Sequence, residues 1–474
     1  MSADYQVAEP FSSGAFEELR TFVESSLESD ERTSFEDFER DLHWRVMAFE
    51  AEVVGQKLQA CDIDTKEIDI GGDRFRRKGR FEKEYHGLGG TFTVMRTLYV
   101  PVGSQGRAIV PLEMRAGIVE GAWTPLLARV MTRTVASTTP KEAAELFEEF
   151  GGATPSASSL GRLPTVLSEL WENMREGIEK ELRQQETVPA NAVAVGASLD
   201  GVLIPMKTEK AADDEEDSVV QEATEKKRKR GPTDYQEASC GTVSFYDADG
   251  ERIETVRYAR GSEYKKATLK SQLESELESI WALRPDLTLV MLSDGAADHW
   301  EFFSGLAERL GAESSKKAAD LFHVLERVKK ALDAFHGEGT SEARAMFETC
   351  RLWLREEEDG ADRVLRALRY RRDRSHGAKR KTIVAQIKYV ENRKRDGLLS
   401  YKQLLDENLP VGSGVVEAAC KTLASERLKR SGMSWSHDGA QAILTLRSLI
   451  QSNRWTRGWK MISDLYRLDV NIAA

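Results

Sequence analysis

The chain has 474 residues, room for about three domains at roughly 150 residues each. Charged residues make up 31% and apolar residues 40%, which excludes a fibrous or disordered chain, and no apolar run approaches the ~18 residues of a membrane span. The net charge of −11 would repel phosphate, yet it sums unlike regions: residues 361–474 carry 23 Lys and Arg against 11 Asp and Glu, which leaves −23 on the first 360.

A basic C-terminal quarter on an acidic body suits a polyanion-binding face, although solvated Arg- and Lys-rich helices produce the same split. The opening segment MSADYQVAEPFSSG has neither a basic head nor an apolar stretch, so no secretory signal is expected. Cys61, Cys240, Cys350 and Cys420 are too few and too scattered for a disulfide framework or a CxxC zinc site, and a cytoplasmic, reducing setting is expected.

In chain order, residues 1–62 read as a helical region, with apolar residues at three- and four-residue spacing in FEELRTFVESSLESD and SFEDFERDLHWRVMAFEAEVVGQKLQ. Residues 63–120 switch to short segments rich in Thr, Val, Tyr and Phe between Gly pairs, a small β region of hairpins. Its basic run DRFRRKGR (73–80) is expected on a loop that could touch phosphate, with a solvated turn as the alternative. Residues 121–190 return to helices broken at Thr139-Pro140 and Gly151-Gly152, compatible with helix-turn-helix DNA binding and equally with any three-helix bundle. Residues 191–323 alternate strands and helices: VAVGASLDGVLIPM, SCGTVSFYD and RIETVRYAR as a meander, then a helix, the strand LTLVMLS and another helix. That is the strand order of the RNase H fold, and other folds share the same coarse string. Within it, 207–232 is a low-complexity loop with DDEED (213–217) and KKRKR (226–230), expected to be mobile. Residues 324–408 are helical throughout, and 409–474 begin at LPVGSG and end in helices. The fold class expected is an α-rich α+β multidomain chain with an RNase H-like core interrupted by an all-α insertion.

Three carboxylates stand out. Asp200 interrupts an apolar strand, where a charge is costly unless it binds something; the alternative is an Asp-Gly turn. Asp294 follows LTLVMLS, where it could equally cap the next helix. Glu417 sits among Val415, Val416, Ala418 and Ala419, with an i,i+4 pair to Lys421 as its alternative. Acids on the first strand, the fourth strand and a late helix can converge at one edge of an RNase H sheet. Two Mg²⁺ ions (or Mn²⁺) about 3.5–4 Å apart would relieve their repulsion and suit phosphodiester displacement.

The segments SLDG (198–201), SDGA (293–296) and PVGSGVVEAACKTLASERLKRSGMSWS (410–436) resemble the DDE transposases of insertion sequences, in particular the ISKra group. The likeness is strongest over 196–460 and fainter over 85–190. It implies a DNA transposase that cleaves element ends and joins them to target DNA, with Asp200, Asp294 and Glu417 as the metal-binding triad. It also implies that His323 of Asp320-Leu-Phe-His323 lies near the active site, with a core histidine as the equal alternative, and that at least a dimer forms on DNA. Lys421, Arg427, Lys429 and Arg430 then become expected phosphate contacts, and Trp435, Arg454 and Arg457 expected DNA-backbone contacts, with exposed faces or core packing as their alternatives. Relatives often carry a zinc ribbon in the N-terminal β region; TLYVPVGSQGRAIVPL has no cysteine, so no structural zinc is expected. Two other functions fit the same residues: a domesticated DNA-binding protein without catalysis, and an RNase H-fold nuclease that cuts without joining.

Overall fold

Apolar periodicity folds the first segment into a helical hairpin, α1 (Gly14–Glu28) and α2 (Phe35–Gln59), in which Phe22 stacks on Phe38 at 5.8 Å between ring centroids and Phe16 meets Phe49 at 5.5 Å. The structure, a computed structural model, describes residues 14–28, 34–103, 106–208, 233–293, 297–312 and 314–472. Asp294 and the DDEED and KKRKR runs lie outside the described residues. The chain divides into two units, Met1–Asn173 with Thr456–Ala474, and Met174–Trp455.

In the first unit, β1 (Glu67–Ile70), β2 (Asp73–Gly87) and β3 (Gly90–Pro101) form an antiparallel sheet. The late segment Asn471–Ile472 (β9) completes the order β3-β2-β1-β9. The basic run expected on a loop is instead part of β2, which bulges between Arg77 and Gly79. Side chains at the end of α2 satisfy the free edge of β3. Gln59 exchanges two hydrogen bonds with the Met95 backbone (2.8 and 3.0 Å), and Asp62 accepts from the Thr97 N–H at 3.0 Å and hydroxyl at 2.9 Å. An edge so covered cannot recruit another strand. Ile68 and Tyr99 are buried there, with Val470 packed against them. Helices α3 (Pro111–Ala116), α4 (Pro125–Ser137), α5 (Pro140–Phe150) and α6 (Ala157–Gln184) come next. The first three begin with Pro at the position where its missing N–H costs nothing, and Thr139 with Glu142 forms a capping box on α5.

The second unit is built on β4 (Ala194–Lys207), β5 (Thr233–Tyr246), β6 (Arg252–Arg260), β7 (Thr288–Ser293) and β8 (Lys316–Ala319), in the order β6-β5-β4-β7-β8. The pairs β4–β5 and β5–β6 are antiparallel; β4–β7 and β7–β8 are parallel. This mixed α/β arrangement is compatible with an RNase H-like core. One face of the sheet (Val195, Ala197, Leu199, Met291) packs on α7 (Ala267–Leu283) and α8 (Ala297–Arg309) through residues such as Leu273, Leu277 and Phe303.

The other face (Ala194, Val290, Leu292) packs on α9 (Leu321–His336), which is succeeded by α10 (Ser341–Glu356), α11 (Gly360–Asp373), α12 (Gly377–Arg395) and α13 (Tyr401–Asp406). The helical stretch thus shares one apolar core with the sheet, from Val324 through Leu354 and Leu368 to Ile387 and Tyr401. Helix α14 (Gly414–Ala419) runs into a π-helical turn (Cys420–Ser425) and α15 (Glu426–Leu428); α16 (His437–Gln451) and α17 (Trp455–Leu465) close the chain of helices.

Candidate active site

Every residue of β4 from Ala194 to Leu199 is buried, so the strand is fixed by packing up to Asp200, which is partly exposed. The strand runs on to Lys207 without a turn at Asp200-Gly201, because it stays in register with β5 throughout, while its pairing with β7 ends at Leu199. Asp200 Oδ1 accepts from the Gly201 N–H at 2.7 Å. Directly across the ladder lies the buried Cys240.

Glu417 stands in the first turn of α14, where a carboxylate is favoured by the helix dipole. Its carboxylate lies 3.3 Å from the Ser413 hydroxyl oxygen and 3.7 Å from His323 Nδ1, so its ion-pair partner among the described residues is His323, not Lys421. Burial, then the charge of Asp320 and, more weakly, that of Asp200 raise the Glu417 pKa, while His323 and Ser413 offset part of the rise. The Cys240 thiol, burial and Asp200 together push the Cys420 thiol up, which places the start of the π-turn against the same strand pair. A π-turn inserts an extra residue into the helical repeat and re-aims the side chains beyond it.

Asp320 joins these pieces. It is fully buried, sits directly after β8, and caps α9 by accepting from the His323 N–H at 2.9 Å. Its second oxygen accepts from both the N–H and the hydroxyl of Ser413, the residue that precedes α14. Burial opposes its charge, but the groups of His323 and Ser413 outweigh burial and hold its pKa at about 2. In turn Asp320, with Glu417 behind it, pushes His323 up to about 9.

Ligand atoms of Asp320, His323 and Glu417 lie within 4.8 Å of one another. Both Asp320 oxygens are already engaged, however, so it acts as a clamp. The buried His323 Nδ1 has no hydrogen-bond partner among the described residues: Asp320 Oδ1 is 3.6 Å away and Glu417 Oε1 3.7 Å. Asp200 and Glu417 supply carboxylate oxygens, the donor type a hard divalent cation takes, and the charge of Asp200 is felt at Glu417. Asp294, the second expected ligand, is outside the described residues.

The expected DNA contacts separate sharply. Lys421 and Lys429 are exposed; Arg430 is partly so, its Nε donating to the Glu426 carbonyl at 3.2 Å. Arg427 is only 1% exposed, with its guanidinium 4.9 Å over the Trp435 ring. Trp435 donates its indole N–H to the Leu428 carbonyl at 3.0 Å, and its backbone pairs with Pro205 and Lys207 on β4. Arg454 is 3% exposed, enclosed by Glu186, Glu276 and Tyr258. Phosphate contact is therefore withdrawn for Arg427 and Arg454, whose charges are inside the protein, and Trp435 is committed to packing. Arg457, on α17, is partly exposed, while Trp455 and Trp459 beside it are buried.

The sequence named Asp320 only as one end of the Asp-x-x-His motif. Aspartate before an apolar helical repeat is an N-cap signal that could have marked half its role. The contact to Ser413, 93 residues away, has no local signal.

No protein-family profile matches the chain, and no curated protein does. Among solved structures, the Drosophila P element transposase strand transfer complex is 11% identical, over 73% of this chain and 82% of that one, with a TM-score of 0.26. A pre-cleavage Mos1 transpososome is 10% identical, over 72% and 78%, with a TM-score of 0.15. At such scores neither likeness carries a functional argument. No helix among the described residues is long and apolar enough to cross a membrane.

Proposed function

We propose that this chain is a metal-dependent DNA transposase with an RNase H-like core, and that Asp200, Asp294 and Glu417 are its metal ligands. What supports the reading is that α14, which carries Glu417, packs against β4 and β5, and that the charge of Asp200, on the central strand of the β6-β5-β4-β7-β8 sheet and 217 residues earlier, reaches Glu417. Burial and two neighbouring acids raise Glu417, an arrangement that is unfavourable unless a cation neutralises it.

Bound Mg²⁺ would supply charge neutralisation at phosphorus and activation of the attacking oxygen in strand cleavage and strand transfer. The protein's own part is positional. Packing of β4 fixes Asp200. Asp320 ties α9 to α14, so that the His323 ring and the Glu417 carboxylate face each other, and the imidazole limits where that carboxylate can swing. Lys421 and Lys429, on and just beyond the π-turn, are poised to meet the phosphates flanking the reacting one. Arg430 and Arg457 are further phosphate contacts in this reading.

Labelled duplexes carrying the ends of the encoding element, incubated with Mg²⁺, test it. The expected outcome is cleavage and then joining, with E417Q and D200N slower by about three orders of magnitude, equivalent to about 4 kcal/mol of barrier. Cleavage without joining would indicate the nuclease, and a mobility shift without cleavage the DNA-binding protein that lacks catalysis. Full activity in E417Q would remove Glu417 from the metal site.

A further inference from the structure

A polar cleft of about 460 Å³ opens beside Asp200, lined by Glu237, Lys265, Lys266, Asp298 and His299 among others. A chain of contacts crosses its floor. Glu237 Oε1 lies so close over Gly201 that a methyl group there would sit 1.8 Å from it. The same oxygen meets Lys266 Nζ at 3.0 Å. Lys266 Nζ is also 3.0 Å from His299 Nε2, and His299 Nδ1 is 2.9 Å from the Ser293 hydroxyl. His299 is 2% exposed and Ser293 is fully buried.

With Lys266 as an ammonium, these contacts assign the protons along the chain. An ammonium can only donate, so His299 Nε2 must accept, and the ring is the neutral tautomer with its proton on Nδ1, donated to Ser293. A cationic imidazole would set N–H against N–H at 3.0 Å. Asp298, the preceding residue, pairs with Lys270 Nζ at 3.3 Å.

The backbone beneath is strained to make the reach. Lys265 and Lys266 both adopt left-handed conformations, with φ of 51° and 55°. Residues with a Cβ persist there only where their surroundings over-determine them, and such strain gathers at functional sites. Glu263 holds the turn from the other side by accepting from the Thr268 and Leu269 N–H groups at 3.2 and 3.0 Å. A glycine would fit this turn better than either lysine, so the turn keeps Lys266 for its side chain.

We infer that Lys266 is a positioning residue: through Glu237 it braces the Asp200-Gly201 step of β4, and through His299 it fixes the tautomer and the hydrogen bond that hold Ser293 at the end of β7, where the chain enters Asp294. One ammonium thereby links the ends of the two hydrogen-bonded strands from which the first two acids come. The inference rests on the transposase reading for its catalytic consequence, and on geometry alone for the tautomer.

The test uses the full-length protein with ¹⁵N-labelled histidine and the cleavage assay with labelled element ends, comparing wild type with K266G, K266M and K266R. K266G relieves the backbone strain and is expected to fold; H299Q assigns the ring resonances. In wild type and K266R, His299 should carry its proton on Nδ1 as a single tautomer. In K266G and K266M that signature should be lost and the cleavage rate should fall about tenfold or more, with DNA affinity held within about twofold. A wild-type His299 protonated on Nε2, or K266G cleaving at the wild-type rate, would overturn the proposal. If wild type cleaves nothing, the transposase reading fails, and the tautomer in wild type against K266G decides the role of Lys266.

Discussion

Asp320 does three jobs with two oxygens: it caps α9, orients His323 and ties down Ser413 ahead of α14. Its pKa is depressed to about 2 against 3.8 for a free aspartate. A depressed carboxyl contributes stability that is fully present above about pH 4 and is lost as pH falls toward 2. D320N should therefore be less stable than wild type by about 2 kcal/mol at pH 7, with the gap closing between pH 4 and pH 2 in urea titrations. A gap that stayed constant over that range would show that the charge of Asp320 is not what holds the clamp. At this scale the sequence is legible where chemistry is spelled in short words. Asp200 in an apolar strand and Glu417 in GSGVVE are singled out as candidates by their neighbours. The division of Asp-x-x-His into a buried clamp and a half-buried imidazole is not, because burial is decided by Ser413 and Tyr401, which reach Asp320 and the Ala319 carbonyl from far along the chain.

Between elements, Arg454 is the strongest stitch in the second unit. Its guanidinium meets Glu276 of α7 at 2.8 Å, Tyr258 of β6 at 2.7 Å and Glu186 just beyond α6. R454A would leave the buried Glu276 carboxylate without its cation, and a loss of about 3–5 kcal/mol is expected in chemical denaturation. A loss below about 1 kcal/mol would place Arg454 on the surface in solution and reopen it as a DNA contact. Its reading from sequence as a DNA residue fails for an instructive reason: Arg454, Trp455, Arg457 and Trp459 alternate in the same way whether the arginines face solvent or carboxylates. Helices with strong three- and four-residue periodicity, such as α9 and α10, are legible along their length. The strand β8 is not, since KKAA has no apolar run; it exists because Ala318 and Ala319 fill a parallel edge beside Leu292 and Ser293.

For the molecule as a whole, the net charge of −11 misleads because charges are sorted by place. Buried pairs such as Arg454 with Glu276 take one charge of each sign off the surface, whereas Lys421 and Lys429 stay exposed on the segment that follows Glu417. Mutating both lysines to Ala should leave stability within about 0.5 kcal/mol. It should lower the slope of log affinity for DNA against log salt by about 2. An unchanged slope would exclude both from the interface.

The β9 strand carries a consequence for the order in which the protein can be made. Ile68 and Asp69 of β1 pair with Ile472 and Asn471, about 400 residues downstream. At about 5–20 residues per second a ribosome needs roughly 20–80 s to cover that distance. Throughout that interval β1 has no outer neighbour, and the whole second unit has been synthesised before the first can close. A chain interrupted after residue 455 would carry the Asp200–Glu417 site yet leave the N-terminal sheet with a bare margin. Completion of the first unit thus reports that translation has passed the last proposed metal ligand.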